Sequence, residues 1–322
     1  MDALSQRCVA ALCFAGPLVW TACGQPAEVA CGAPCSDMVY LGPATLLMGS
    51  PAGEGTSREH PQHPVVVGGF WLDKTEVTNA QFTEFLRAQG NVCHHEGVAY
   101  PCFECFEFSQ QDLGFDCEQP GFPLRQSCQD RPGGPFTASC GDHPVVLVTW
   151  AGARSYCAAR GKRLPSEAEW ERAANGAGPW RRFPWGDGCP TTFDHAGELE
   201  GCAEGPWGPA TARANCAETH CNDGFEKTAP VGTFGGGASP EGVLDLAGNV
   251  LERVEDCYHH SYAGSPPSDG AAWLHACDPS VKIARSSSHI DPGAALRSRA
   301  RTDDIAIDAA DPDVGFRCAR SE

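Results

Sequence analysis

Sixteen of the chain's nineteen cysteines are spread from Cys31 to Cys318, and this even set limits the fold more than any other feature of the sequence. Cysteines at this density read as a disulfide framework when a chain matures in an oxidising compartment. The first residues point to such a compartment. One early Arg7 precedes an apolar run from Cys8 to Trp20, too short to span a bilayer and of the length of a signal-peptide core. Residues 1–22 are therefore expected to be a signal peptide. Thr21 and Ala22 then lead into Cys23, the arrangement at which a bacterial lipoprotein leader is cleaved and the cysteine lipidated; Ala30 before Cys31 offers an ordinary cleavage point as the alternative. On this reading residues 23–36 form a tether. The protein is extracytoplasmic, lipid-anchored in a bacterial cell envelope or secreted, and the lipid is its only hold on a membrane.

In an oxidising compartment the cysteines are structural rather than reactive. Zinc is the competing use, with Cys102 and Cys105 in a CxxC, but a single such pair falls short of a four-ligand site. No linker interrupts residues 37–322, which read as one domain. The formal charge of −18, from 41 acidic and 23 basic residues, is unchanged by loss of the leader, because Asp2 and Arg7 cancel. That balance leaves no basic footprint for nucleic acid or anionic lipid and makes divalent cations the natural partners. With 37 Gly and 26 Pro, much of the chain is expected to be irregular, held by cross-links and ions as well as by burial.

Short strands are expected at Met38 to Leu41, Thr45 to Met48, Val65 to Val67 and Phe70 to Leu72. A helix follows, capped by Thr78 with Gln81 three residues on, carrying Phe82, Phe85 and Leu86 on one face and ending at Gly90. From about residue 92 to 142 the chain changes character. Cys93, Cys102, Cys105, Cys117, Cys128 and Cys140 crowd a stretch that reads as a cross-linked insertion. A strand at Val145 to Val148 then leads into a helix capped by Thr149 and stopped by Gly161. A third helix has Ser166 and Glu169 as its capping box and Trp170, Ala173 and Ala174 as its buried stripe. Beyond Asn175 only short strands are expected, near Val231 to Phe234, Val250 to Arg253, Ile283 to Arg285 and Gly315 to Cys318.

Nine segments, in order, carry a family resemblance: Met48-Gly-Ser50, His60-Pro-Gln-His-Pro64, Glu76-Val-Thr-Asn79, His143-Pro-Val-Val-Leu-Val-Thr-Trp150, Arg163-Leu-Pro-Ser-Glu-Ala-Glu-Trp-Glu171, Pro184-Trp-Gly186, Pro230-Val-Gly232, Asp245-Leu-Ala-Gly-Asn-Val-Leu-Glu252 and Gly315-Phe-Arg-Cys318. Together, over about residues 39–320, they resemble the formylglycine-generating-enzyme (sulfatase-modifying factor) domain family. The resemblance implies an α+β, C-type-lectin-like fold with little regular secondary structure. It also implies a disulfide between Cys157 and Cys318. Local pairs such as Cys216 with Cys221 and Cys257 with Cys277 are plausible, but spacing does not assign them.

Asp245 and Glu252 stand seven residues apart around Gly248, so the chain can curl and aim both carboxylates inward. Hard oxygen ligands of this kind suit Ca2+. The resemblance implies a structural calcium held by the side chains of Asp245 and Glu252 and the carbonyls of Gly248 and Val250. It implies a second held by the side chains of Asn215 and Asp223 and the carbonyls of Cys216 and Phe225. The plainer reading makes these acidic residues turn formers and solvated charges.

Oxidases of the family use two cysteines that bind Cu(I), in a segment beginning Arg-Gly-Gly-Ser. Here that segment is Arg285-Ser-Ser-Ser-His-Ile-Asp-Pro-Gly-Ala-Ala-Leu296, and the two cysteine positions fall at about Asp291 and Leu296. A carboxylate is a hard ligand and leucine offers no donor, so copper is not expected and no catalytic residue is assigned. Ser288, His289 and Asp291 are too close in an extended chain to align as a hydrolytic triad. His94, His95 and Glu96 read as a surface loop rather than a metal site. The expectation is a non-catalytic, calcium-stabilised scaffold that binds a peptide, a glycan or an envelope protein. The rival is a protein-modifying oxidoreductase, a formylglycine-generating oxidase or a relative of one, working from an unrecognised site.

Overall fold

The computed structural model describes residues 37–103, 140–178, 181–187, 213–217, 223–225 and 227–322. The leader, Cys23 and the tether, most of the cysteine-rich stretch and Cys221 lie outside them. Among the described residues no helix is long and apolar enough to cross a membrane.

Short apolar runs at the start of the domain form four strands, β1 (Met38–Leu41), β2 (Ala44–Met48), β3 (His63–Val67) and β4 (Phe70–Asp73), with burial alternating along β2 and β3. β2 and β3 pair antiparallel, burying Leu46, Met48, Val65 and Val67 on one face and leaving Leu47 and Val66 in solvent on the other. A three-stranded sheet of order β1-β4-β11 ties this region to β11 (Ala319–Ser321). The second sheet has order β10-β7-β8-β9, from β7 (Leu251–Cys257), β8 (Val281–Arg285), β9 (Arg301–Ala306) and β10 (Val314–Phe316). Its β10–β7 pair is parallel and its other pairs antiparallel.

Each helix starts where its cap predicts. In α1 (Asn79–Gln89) the Thr78 hydroxyl accepts from Gln81 N, while Gln81 Oε1 accepts from Thr78 N at 2.9 Å. In α2 (Trp150–Ala159) the Thr149 hydroxyl accepts from Gly152 N at 3.0 Å, and a Cβ on Gly152 would stand 2.0 Å from the Cys102 carbonyl. In α3 (Glu167–Asn175) Ser166 and Glu169 form the expected box. Every residue of α3 is buried, although Glu167, Glu169, Glu171 and Arg172 lie on it. Such a helix is stable only where each charge finds a partner, and this requirement shapes the site described below.

Two apolar clusters make up most of the core. One gathers Leu41, Val65, Phe70, Leu72, Trp170 and Ile283; the other gathers Phe82, Phe85, Trp150, Tyr156 and Phe316 beside the Cys157–Cys318 disulfide. That bridge, expected from the family resemblance, has its Cα atoms 5.6 Å apart. Cys257 pairs with Cys277, and Cys93 with Cys102. The last pair takes Cys102 out of the CxxC alternative. It fastens a hairpin of β5 (Val92–His95) and β6 (Val98–Pro101) that the sequence reading left inside the insertion; its turn residues Glu96 and Gly97 both have positive φ.

Two expected strands do not form. Residues Val145 to Val148 are buried, but Leu147 has φ +58° and the amides of Val145 and Leu147 bond to Val77 O and Asp311 O, which no ladder allows. Residues Val231 to Phe234 form a turn leading into a 3-10 turn at Gly235–Gly237.

Candidate functional site

The segment that carries chemistry in the family's oxidases leaves β8 at Arg285 and runs across the Gly248–Asn249 loop. Ser286, at φ +75°, turns the chain, and Ser286, Ser287 and Ser288 are all buried. The Ser287 hydroxyl accepts from Gly248 N at 3.2 Å, and His289 N donates to the Asn249 carbonyl at 2.9 Å. The Ser287 hydroxyl thus stitches the two loops together, while that of Ser286 donates to the neighbouring Ser287 carbonyl.

No triad forms. Ser288 donates from its hydroxyl and from its amide to Asp291 Oδ2, at 3.0 and 2.7 Å, while His289 Nδ1 lies 3.3 Å from the Asn249 carbonyl. Burial lowers the His289 pKa, so the ring is held neutral, away from the serine. At the second cysteine position Leu296 is 1% exposed and packs with Phe183, Ala214, Cys216 and Ala247, against which the half-buried Trp185 also lies. Trp185 stacks on Phe183 with centroids 5.1 Å apart. Every cysteine among the described residues is disulfide-bonded, Cys140 and Cys216 included.

The loop of Asn215, Cys216, Asp223 and Phe225 fits a cation. Asp223 accepts from Cys216 N (2.9 Å), Phe225 N (2.8 Å) and Asn215 Nδ2 (3.2 Å), which fixes the carboxylate in place. Asn215 is 1% exposed, and its Oδ1 has no hydrogen-bond partner. A buried amide oxygen left unpaired beside a carboxylate is costly unless a cation completes it.

The loop of Asp245, Gly248, Val250 and Glu252 is arranged differently from the expectation. Glu252 does not present a free carboxylate: Arg317 donates to it through Nε (2.6 Å) and Nη2 (2.7 Å), and Trp170 Nε1 adds a third bond at 2.9 Å. The other donors of Arg317 reach the carbonyls of Asp73, Lys74, Leu244 and Asp245. Burial opposes the charge on Arg317, but Glu252 outweighs it and holds the guanidinium above its ordinary range. Asp245, at φ +56°, accepts from Gly232 N at 2.6 Å and otherwise faces Glu76. Burial first, and Asp245 second, push the Glu76 carboxyl well above the usual carboxylate range. Glu76 and Arg317 stand in two of the motifs that mark the resemblance, yet neither was assigned a role from sequence. Both lie far along the chain from Asp245 and Glu252, and only the fold brings the four together.

Two other clusters do not form sites. His94 is exposed, whereas His95 turns inward to meet the Trp150 ring edge-on at 4.8 Å, so the two imidazoles diverge. Cys257, His259 and Cys277 lie together, but their sulfurs are bonded to each other and the two ring nitrogens of His259 face the carbonyls of Cys257 and His275.

The sulfatase-modifying factor enzyme 1-like domain matches residues 25–322. The inactive C-alpha-formylglycine-generating enzyme 2 of Mus musculus is 31% identical, over 88% of this chain and 85% of its own length. The formylglycine-generating enzyme of Streptomyces coelicolor is also 31% identical, over 87% of this chain and 88% of its own. Among solved structures, PvdO from Pseudomonas aeruginosa superposes with a TM-score of 0.62 at 30% identity, covering 90% of this chain and 97% of that one.

Proposed function

Because the chain belongs to the sulfatase-modifying factor enzyme 1-like family, we propose that it is a non-catalytic member of it: an extracytoplasmic, calcium-stabilised scaffold whose former substrate groove binds a peptide, a glycan or an envelope protein. One observation supports this above all. By the family resemblance, the two positions where the oxidases place thiolates fall at about Asp291, engaged by Ser288, and Leu296, sealed into an apolar cluster. A soft cuprous ion needs sulfur donors, and every described cysteine is already in a disulfide. That a mouse relative 31% identical to this chain is described as inactive supports the reading.

Apolar side chains near the Arg285-to-Leu296 segment support a binding role. Trp185 is a half-buried aromatic platform stacked on Phe183, and Ile290, 62% exposed, projects from the old catalytic segment. Calcium fits at Asn215 and Asp223, with the carbonyls of Cys216 and Phe225 as the remaining protein ligands; there it would supply structural charge compensation. Lipidation at Cys23 would hold the protein at the envelope.

The competing reading, a formylglycine-generating oxidase, draws on equal identity to the Streptomyces enzyme. The purified protein, incubated with copper and a cysteine-containing sulfatase peptide, is expected to yield no aldehyde. Aldehyde formed at an appreciable rate would overturn the non-catalytic reading.

A further inference from the structure

In a chain with 41 acidic residues against 23 basic ones, a guanidinium that finds no carboxylate stands out. Arg181 and Arg213 carry two such groups. Both residues are half-buried, and among the described residues neither makes a hydrogen bond or an ion pair. The Nε of Arg181 is also sealed from solvent without an acceptor. Neighbouring arginines are engaged: Arg182 reaches Glu54 at 3.7 Å, Arg297 binds Glu59 at 2.7 and 2.9 Å, and Arg299 donates to the Gly49 carbonyl at 2.7 Å. Asp187, the carboxylate of the same turn, accepts from the Arg182 amide at 3.0 Å.

Both unpaired arginines border one indole. Arg181 Nη1 lies 3.7 Å from the position a Cβ would take on Gly186, next in sequence to Trp185. On the 3-10 turn Gly235–Gly237, a Cβ on Gly237 would stand 1.9 Å from the Arg213 carbonyl and 3.5 Å from the Trp185 ring, and one on Gly236 would stand 3.7 Å from Arg213 Cγ. Bare glycines thus let Arg213 and Trp185 close on the same turn. Trp185 in turn packs against the cluster of Phe183 and Leu296, where the segment that starts at Arg285 ends. The result is a half-buried aromatic on apolar ground, with two unpaired cations beside it.

A guanidinium fork matches the two oxygens of a carboxylate, and a buried N–H without an acceptor is costly until one arrives. A carbohydrate would call for amides and carboxylates to meet its hydroxyls, and Arg181, Arg213, Trp185 and the glycine turn supply neither. A polypeptide with acidic side chains set between apolar ones matches both the cations and the ring. We propose that Arg181 and Arg213, around Trp185, bind a peptide segment that places carboxylates beside an apolar side chain. The proposal rests on the non-catalytic binding reading above and names the chemistry of its ligand.

Fluorescence anisotropy on the purified protein tests this with three labelled probes: an octapeptide alternating glutamate and phenylalanine, its glutamine counterpart, and an oligouronate. The acidic peptide is expected to bind, less tightly as salt rises, and the glutamine peptide to bind about tenfold more weakly. Arg181→Gln and Arg213→Gln should each weaken the acidic peptide about tenfold, whereas Lys74→Gln, the same loss of charge at an exposed site, should not. Neither guanidinium bonds within the described fold, so both variants should melt with the wild type, and lost binding then reports the site and not unfolding. Equal affinity for the acidic and neutral peptides, an acidic peptide indifferent to both arginines, or no binding of any probe overturns the proposal while leaving the non-catalytic reading intact. An oligouronate held through the same arginines in place of the peptide overturns the peptide assignment. Aldehyde formed in the copper assay overturns the non-catalytic reading itself, whatever the peptides do.

Discussion

Arg285 donates to Glu171 Oε2 at 2.9 Å, and neither side chain reaches solvent. The same guanidinium bonds to Glu167 at 3.0 Å and to the Tyr262 hydroxyl at 3.2 Å, and Arg301, at the start of β9, donates to Glu167 at 2.7 Å. The fully buried α3 is therefore pinned to the end of β8 and to the start of β9. These ion pairs give Arg285 a structural role at the start of the segment that runs from it to Leu296.

The pairing sets acid stability. Burial alone would raise the Glu167 pKa, but Arg301 and Arg285 overcome it and bring it down to about 2. A carboxylate whose folded pKa is depressed contributes stability that is present above its unfolded pKa and lost as pH falls through the folded value. The melting temperature is expected to drop between about pH 4.5 and pH 2. Glu167→Gln, which removes the carboxylate shared by two buried guanidinium groups, should cost about 3–5 kcal/mol at neutral pH and flatten that acid limb. Melting curves across the range check both; an unchanged limb in the variant would remove Glu167 as its source.

Asp256 works with the opposite sign. Burial, then the neighbouring Glu167, raise its pKa to about 7, although it accepts from the amides of Glu167 and Trp273 at 2.7 Å each. A carboxyl that binds its proton more tightly when folded loses stability as pH rises from its unfolded pKa towards 7. Asp256→Asn is expected to reduce the fall in unfolding free energy between about pH 4 and pH 7, measured by urea titration at several pH values. A variant with the same slope as wild type would rule the group out.

The Cys157–Cys318 bridge spans 161 residues of sequence beside the Phe82, Tyr156 and Phe316 rings. In the chain-entropy account, closing a loop of that size is worth on the order of 5 kcal/mol. Replacing both cysteines by serine should therefore lower stability by several kcal/mol without changing the other bridges. Non-reducing peptide maps of the wild type should join the two peptides, and a free thiol at either position would contradict the pairing.

What could be read from sequence follows the range of the interactions. The caps at Thr78, Thr149 and Ser166 involve residues three apart, and all three helices begin where those residues place them. β9 and the β5–β6 hairpin went unread because β9 alternates weakly and the hairpin is set by the Glu96-Gly97 turn and a disulfide rather than by an apolar pattern. That no cysteine lies between Cys277 and Cys318 was visible in the residue types alone. The capture of Glu252 by Arg317 was not: 65 residues separate them, and no local pattern states which carboxylate a buried arginine will take.

Calcium at the Asn215 loop should be measurable as linkage. An ion present at a hundred times its dissociation constant adds about 2.7 kcal/mol to unfolding. Chelation is therefore expected to lower the melting temperature, with recovery in Ca2+ and not in Mg2+, whose tight octahedral geometry this mixed set of side chains and carbonyls does not serve. Asp223→Asn should leave much less for the chelator to remove. Equal EDTA sensitivity in that variant would place the ion elsewhere.

Leu296 gives the sharpest contrast between a kept active site and a converted one. A residue held in place for chemistry is commonly replaced with little loss of stability, because active-site geometry is maintained at the expense of packing. Leu296 instead fills space between Phe183, Ala214, Cys216 and Ala247 at 1% exposure. Truncating such a side chain removes its burial and leaves a cavity, so Leu296→Ala should cost about 2–5 kcal/mol. Leu296→Met, which preserves volume, should cost less than about 1.5 kcal/mol. Urea denaturation of the two variants distinguishes the cases. If alanine were as well tolerated as methionine, the position would still be behaving as part of an open site, and the argument that packing has replaced catalysis there would fail.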